Sequence, residues 1–168
     1  MKKKLVKPAI SILSLFALCF VIFSFTPKTG NKSFNSKTDF GGEGFEIFLN
    51  DKLIVQQYGE KMKDIKTVQL DQSVTTGQLA VRYYHCGQPG KARVIRIKDE
   101  KNMVIREWKF GDAKDASAKI CCNVKDILAL PKLKTGKKVN LYYSSAQTPD
   151  GRLLVTLIGG TKSAVVEP

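Results

Sequence analysis

The sequence has a single histidine, His85, among 168 residues, and it lacks the signatures of the common catalytic classes. It contains no HExxH metalloprotease helix, no G-x-S-x-G nucleophile turn, no phosphate-binding P-loop and no EF-hand acidic loop. Chemistry that depends on an imidazole must therefore be built at His85. These absences favour a protein that is not an enzyme, and we expect no cofactor.

Acidic residues are also scarce, with 15 of them against 28 lysines and arginines. Without the four lysines at the N-terminus, the excess of basic residues is still nine. A basic surface attracts anionic partners. Because we infer below that the protein is exported, the expected partner is not nucleic acid. It is an anionic polysaccharide, an anionic lipid or an acidic protein. The alternative is that the lysines only keep a β-protein soluble and protect its sheet edges.

The one long apolar run lies near the N-terminus. Four lysines within the first seven residues precede an apolar stretch, 9–25, that is interrupted only by three serines. This pattern predicts a signal peptide or an N-terminal membrane anchor over residues 1–27. The run of 17 residues is at the lower limit for spanning a bilayer, and no A-x-A-like cleavage site follows it. Both outcomes stay open: a protein released into the periplasm, or one held in the inner membrane through residues 9–25 with its domain on the periplasmic side.

The rest of the chain divides into three parts by composition. Residues 28–44 are rich in Lys, Thr, Gly, Asn and Ser, and so they predict a flexible linker. Residues 45–160 are long enough for one domain with its own core, and residues 161–168 form a C-terminal tail.

Short runs rich in β-branched and aromatic residues fill the domain, and turn residues separate them. Asn50-Asp51, which tolerates positive φ, predicts a tight hairpin, and residues 148–151 predict another turn. This pattern is typical of an all-β sandwich or barrel. One short helix is predicted over 124–130, opened by Asn123 and closed by Pro131. We therefore expect an antiparallel β-sandwich of about nine strands with one short helix, preceded by the N-terminal apolar helix. The predicted strands are 45–49, 53–57, 67–70, 78–85, 92–98, 103–110, 118–122, 138–144 and 153–158.

Three cysteines lie outside the apolar run, at Cys86, Cys121 and Cys122. In an oxidising compartment they predict a disulfide from Cys86 to one of the other two. Adjacent residues on a strand point to opposite faces, so only one of Cys121 and Cys122 can face Cys86. The alternative is a thiol or metal redox protein that uses the three cysteines and His85. Met103 is a weak further ligand candidate beside His85, but the spacing matches no metal pattern and we predict no metal site.

Two groups of basic residues lie close in sequence to tyrosine pairs, at residues 83–84 and 142–143. Basic residues interleaved with aromatic rings bind anionic chains by charge and stacking. Alternation along a strand sends one tyrosine of each pair outward, and we expect these to be Tyr84 and Tyr142. The predicted binding surface comprises Arg82, Tyr84, Lys91, Arg93, Arg96, Lys132, Lys134, Lys137, Lys138 and Tyr142.

The segment RYYHCG (82–87), which precedes a basic strand, and the later segment LYYSS (141–145) resemble small exported β-sandwich proteins of Bacteroidota-type bacteria. The resemblance covers roughly residues 45 to 158 and implies export without any assigned activity. The expected function is that of a non-enzymatic cell-envelope domain, which serves as a binding or structural module for an acidic polymer, an anionic surface or a protein partner.

Overall fold

A computed structural model describes residues 42–72, 76–160 and 166–167 of the protein. The predicted signal or anchor (1–27) and most of the predicted linker (28–41) lie outside the described residues. Among the residues that are described, no helix is both long and apolar enough to cross a bilayer.

The described residues form two β-sheets, as predicted for an all-β sandwich. The first sheet has four strands in the order β2-β1-β4-β7. The second has five longer strands and the two-residue β10 at its edge, in the order β10-β3-β9-β8-β5-β6. Every predicted strand is present. The strands are β1 Glu43–Leu49, β2 Lys52–Tyr58, β3 Lys66–Asp71, β4 Gln78–His85, β5 Val94–Lys98, β6 Val104–Lys109, β7 Ile120–Asn123, β8 Val139–Ser145, β9 Thr148–Gly160 and β10 Val166–Glu167.

One strand pair departs from the predicted antiparallel arrangement. β3 and β9 run parallel, with Lys66 opposite Val155 and Leu70 opposite Gly159. A parallel pair needs a long connection between its strands, and here β4 to β8 and both short α-helices lie in the chain between β3 and β9. This pairing between distant segments leaves no signal in a local sequence pattern.

Turn chemistry was predictive at one hairpin and misleading at another. Asn50 and Asp51 join β1 to β2 with φ values of 49° and 62°, as a tight hairpin requires. Residues 148–151, predicted as a turn, belong instead to β9, because the chain reverses at Ala146 and Gln147. The proline and glycine there lie at a register shift, and Gly151 has a φ of 77°. Such residues suit a β-bulge as well as a turn.

The predicted helix is shorter than expected and is followed by a second one. α1 is Val124–Leu128 and α2 is Pro131–Lys134. Pro131 follows α1 but is also the first residue of α2. The first N–H of a helix has no partner within the helix, so the N–H that proline lacks is not needed there. A 3-10 helix at Gly59–Lys63, which was not predicted, connects β2 to β3. α2 lies beside the C-terminal ends of three strands, through Gln72, Asp99 and Gly159.

The core lies between the inner faces of the two sheets. Phe45 and Ile47 of β1 are fully buried, as are Ile97, Leu141 and other residues of the second sheet. Inner residues alternate with outer ones along β5 and β8, as a half-buried strand requires. The sandwich therefore has two ends that matter below: the α2 end, and the opposite end, which carries His85.

Candidate functional site

The residues predicted to form one binding surface lie in three separate places. Strand register decides this, because residues close in sequence can face different sheets or different ends. Arg82 and Tyr84 lie on the outer face of the four-stranded sheet, Lys91 and Arg93 lie at the His85 end, and Arg96, Tyr142, Lys132, Lys134, Lys137 and Lys138 lie on or beside the six-stranded sheet toward α2.

Arg82 and Tyr84 are structural residues that surround a buried carboxylate. Both donate a hydrogen bond to Oε2 of Glu46 at 3.0 Å, and Gln56 and Tyr58 each donate to Oε1 at 2.9 Å. Only 7% of Tyr84 is exposed, and burial raises the pKa of its phenol. The prediction that Tyr84 faces solvent is therefore wrong: it points away from the core, but this network of neighbours covers it.

The side chain of Arg93 is also used internally. Its Nε donates to the carbonyl of Gly111 at 3.0 Å, and Nη1 donates to that of Ala118 at 3.3 Å. Lys91 is exposed on the same loop. The loop lies at the opposite end from α2, so these two residues do not share a surface with the lysines of α2.

Six lysines lie on two chain segments at the α2 end, and we call this group the lysine end. Four of them belong to the segment from α2 to the start of β8, which contains no acidic residue. The other two, in and after β5, were not predicted. Lys98 lies opposite Asn140 at the start of β8, which places it beside this segment. The lysine end comprises Lys98, Lys101, Lys132, Lys134, Lys137 and Lys138.

An ion pair joins the two lysine-bearing segments. Lys132 of α2 donates to Oδ2 of Asp99 at 3.2 Å. The other oxygen of Asp99 accepts the backbone N–H groups of Lys101 and Met103, each at 2.9 Å. The Met103 N–H, with a smaller effect from Lys132, lowers the pKa of Asp99. Asp99 thus holds the β5–β6 turn in shape and fixes it against α2.

Tyr142 supplies an aromatic ring beside these lysines. Nζ of Lys98 lies 4.2 Å from the ring centroid, and the phenol donates to Oδ1 of Asn102 at 3.4 Å. Tyr142 is half-buried on the outer face of the six-stranded sheet. Cations over an aromatic face are held there by the ring quadrupole. The ring therefore positions Lys98 at the edge of the lysine end.

Arg96 is less available than the sequence suggested. Its guanidinium donates to Oε2 of Glu107 at 2.6 Å and to the hydroxyl of Ser144 at 2.7 Å. The hydrogen bond from Arg96 lowers the pKa of Glu107. A carboxylate therefore already pairs with Arg96, and we do not count Arg96 in the lysine end.

His85 lies in a buried polar cluster at the other end of the core. Its Nε2 lies 2.9 Å from the phenol of Tyr143 and 3.4 Å from the hydroxyl of Ser145. The ring of Tyr83 stacks on that of Tyr143 with centroids 4.4 Å apart. Burial lowers the pKa of His85. A Cβ at Gly90 would lie 2.8 Å from the Tyr143 hydroxyl, so a larger residue there would require this cluster to shift.

Glu43 and Arg152 extend the cluster toward the surface, and sequence reasoning missed both. Tyr83 donates its phenol hydrogen to Glu43, and Arg152 donates to the same carboxylate at 2.9 Å. Burial, with the hydrogen bond to Glu43, raises the pKa of Tyr83. No local pattern could have revealed the pairing, because 109 positions separate Arg152 from Glu43.

The cysteines do not meet, so the predicted Cys86 disulfide is wrong. β7 pairs with the first half of β4, which places Cys121 opposite Ala80, whereas Cys86 follows the last residue of β4. The distance along the strand is about 20 Å at about 3.3 Å per residue, and a disulfide needs its Cα atoms within about 7 Å. Cys86 and Cys121 are free and exposed, while Cys122 is free and buried.

The weak metal candidates are also apart. Met103 lies in the β5–β6 turn at the α2 end, whereas His85 lies at the other end. Among the described residues, no three His, Cys, Asp or Glu side chains form a group that could hold a metal ion. The thiols and the imidazole therefore do not make up one site.

The comparisons add no family. The sequence matches no protein-family model, and no curated protein is significantly similar to it.

Proposed function

We propose that this protein is an exported cell-envelope β-domain that binds an anionic ligand at its lysine end and does not act as an enzyme. The observation that carries the proposal is the placement of six lysines on two segments at the α2 end, where the only acids in the same two segments are Asp99 and Glu100. Asp99 already pairs with Lys132. The excess positive charge is therefore available to a partner.

The arrangement of the lysine end favours binding over mere solubility. Lysines that only protect sheet edges would be spread over the surface, whereas these lie on two segments that Asp99 and Lys132 join. Tyr142 holds Lys98 at the border of the group. Phosphate, sulfate and carboxylate groups are the ligands that such a group recognises, as point charges rather than by a fixed fork geometry.

The His85 cluster supports the proposal that the protein does not act as an enzyme. Tyr143 and Ser145 approach Nε2 of His85, and Gly90 packs against it, so the imidazole lies within the fold and not in a cleft. Catalysis by an imidazole requires contact with substrate. The cluster instead fits a role in fixing the end of the sandwich.

The proposed location depends on the N-terminal pattern of lysines followed by residues 9–25, and on the resemblance to exported proteins. It is the periplasm, or the inner membrane with the domain on the periplasmic side. Sequencing the mature N-terminus from the native host distinguishes the two: a start downstream of residue 25 identifies a removed signal, and an intact start identifies an anchor.

Retention of the full chain on immobilised anionic polysaccharide, compared with an uncharged polysaccharide of similar length, tests the binding proposal. Retention on the anionic polymer should fall as salt rises from about 50 to 500 mM, because exposed charges are screened beyond a few ångströms at high ionic strength. Vesicles with and without anionic lipid form the parallel arm. Equal behaviour on charged and uncharged supports would contradict the proposal.

A further inference from the structure

Two adjacent apolar side chains are exposed at the tip of the β5–β6 hairpin. Met103 is 63% exposed and Val104 is 50% exposed, more than any other large apolar side chain in the described residues. Leu53 and Ile65 are the others in that class, and they lie on β2 and just before β3. A single exposed apolar residue is ordinary. Two such neighbours beside the β5–β6 turn expose apolar surface on both faces of the hairpin there, which calls for a partner.

The hairpin presents these side chains in a fixed orientation. The backbone of Met103 is held on both sides, because its N–H donates to Asp99 Oδ1 and its carbonyl accepts the Asp99 N–H, each at 2.9 Å. Asn102, with a φ of 60°, completes the turn. From this fixed backbone the side chains of Met103 and Val104 are exposed and not buried in the core.

The same turn lies within the lysine end. Lys98 and Lys101 flank it in sequence, and Lys132 contacts it through Asp99. Glu100 is the one other acid of the turn, and Asp71 ends β3 beside α2, so six lysines against three carboxylates still leave the region cationic. An apolar tip surrounded by cations is the composition of a segment that binds the surface of an anionic bilayer.

We propose that the lysine end docks on an anionic lipid bilayer, with Met103 and Val104 inserted among the lipids and the lysines on the head groups. This inference rests on the anion binding proposed above and names its partner. A polysaccharide would satisfy the lysines, but it offers no apolar phase for Met103 and Val104. The bilayer satisfies both.

A tryptophan reporter in the full chain tests this inference. Trp108 is the only tryptophan, so Trp108→Phe gives a dark background into which Met103→Trp places one fluorophore at the tip. Ile65→Trp in the same background is the matched control, because Ile65 is also an exposed apolar residue but lies just before β3, at the end of the sandwich opposite α2. Both proteins are reconstituted into phosphatidylcholine vesicles with and without phosphatidylglycerol, so that the N-terminal apolar run contributes equally.

The inference predicts that emission from position 103 shifts to shorter wavelength and is quenched by brominated lipid only when phosphatidylglycerol is present. Position 65 should show neither effect. Adding Lys134→Gln, Lys137→Gln and Lys138→Gln should lower the affinity for vesicles that contain phosphatidylglycerol by at least about tenfold, since each lysine near an anionic surface contributes about fivefold. In the unlabelled chain, Met103→Gln with Val104→Thr should weaken docking, while Ile65→Gln should not.

The possible failures are distinguishable. Salt-sensitive retention on anionic polysaccharide without a change at position 103 would overturn bilayer docking and leave the anion-binding proposal standing, with a polymer as partner. Absence of both signals would overturn both proposals. Equal shifts at positions 103 and 65 would mean that the β5–β6 turn has no special role, and this too would contradict the inference.

Discussion

Lys132 of α2 and Asp99 of the β5–β6 turn form an ion pair, with Nζ 3.2 Å from Oδ2. The pair joins the two segments that carry the lysine end, so it links the shape of the turn to the position of α2. Asp99 contributes more to this link than Lys132 does, because its other oxygen accepts the backbone N–H groups of Lys101 and Met103.

Substitutions of Asp99 should separate its role in shaping the β5–β6 turn from its ion pair with Lys132. Asp99→Ala removes the acceptor for both backbone N–H groups, and it should lower the melting temperature and weaken retention on an anionic support. Asp99→Asn keeps an acceptor at the turn and removes a negative charge, so it should retain binding at least as well as the native chain. Weaker binding by the asparagine variant than by the alanine variant would contradict this account of the turn.

His85 should make stability depend on pH. Burial lowers the pKa of His85 in the folded protein, while the unfolded chain keeps a value of about 6.5. Below about pH 6.5 the unfolded state therefore binds more protons, and the free energy of unfolding falls as the pH is lowered toward the folded pKa. His85 is the only histidine, so His85→Gln should remove this component. Urea unfolding at pH 7.5 and pH 5.5 measures it, and equal pH dependence in both proteins would contradict it.

The contact between Tyr143 and His85 should contribute to stability directly. Tyr143→Phe removes the phenol that lies 2.9 Å from Nε2 and leaves that nitrogen buried with fewer partners. A loss of about 1–2 kcal/mol in unfolding free energy is expected. The matched control is Tyr142→Phe on the outer face, which should cost less, because the Tyr142 phenol makes only a 3.4 Å contact at the surface. A larger loss for Tyr142→Phe would contradict the assignment of the buried cluster.

Arg82 should affect folding and not ligand binding. Arg82→Met keeps much of the apolar stem but leaves Glu46 without its cation, and Glu46 is almost fully buried. We expect a loss of about 2 kcal/mol in unfolding free energy, which is less than for a fully buried pair because Arg82 is partly exposed. Retention on anionic supports, measured on the folded variant, should be unchanged. A loss of retention without a loss of stability would contradict this prediction and would mean that Arg82 contacts the ligand.

The three downstream thiols should react at different rates in the native protein. Burial raises the pKa of Cys122 to about 12, and the side chain is sequestered, whereas Cys86 and Cys121 are exposed. Alkylation followed by peptide mass spectrometry should label Cys86 and Cys121 in the folded chain, and Cys122 only after denaturation. A peptide pair that links Cys86 to Cys121 or Cys122 within one monomer would contradict the fold.

Local patterns were enough to predict the strands. The positions of all nine longer strands, the Asn50–Asp51 hairpin and the opposite orientations of Cys121 and Cys122 followed from alternation and turn residues, which depend on neighbours in sequence. The parallel pairing of β3 with β9 could not be predicted in this way. This pairing depends on which distant strands lie side by side in the sheet, and the spacing of apolar residues along one strand does not indicate its neighbours.

The same limit explains the errors at the sites. The prediction that Cys86 pairs with Cys121 or Cys122 assumed that strand ends meet, but the register places β7 against the far half of β4. Tyr84 was expected in solvent because alternation gives a direction, and Glu46 with its other partners covers it. Lys98 was not predicted to belong to the lysine end, because only the pairing of β5 with β8, which places Lys98 opposite Asn140, reveals its position.

The most direct test of the central claim compares two charge-matched variants of the full chain. One replaces Lys134, Lys137 and Lys138 by glutamine. The other replaces Lys61, Lys91 and Lys114, which are exposed but lie outside the lysine end. Binding to vesicles that contain phosphatidylglycerol is measured as a function of salt.

If the lysine end is the binding site, the first variant loses at least about tenfold in affinity and its affinity depends less steeply on salt. The second should stay within about twofold of the native chain, because distant exposed charges are screened. Equal losses in the two variants would show that binding follows net charge alone, and that result would contradict the account.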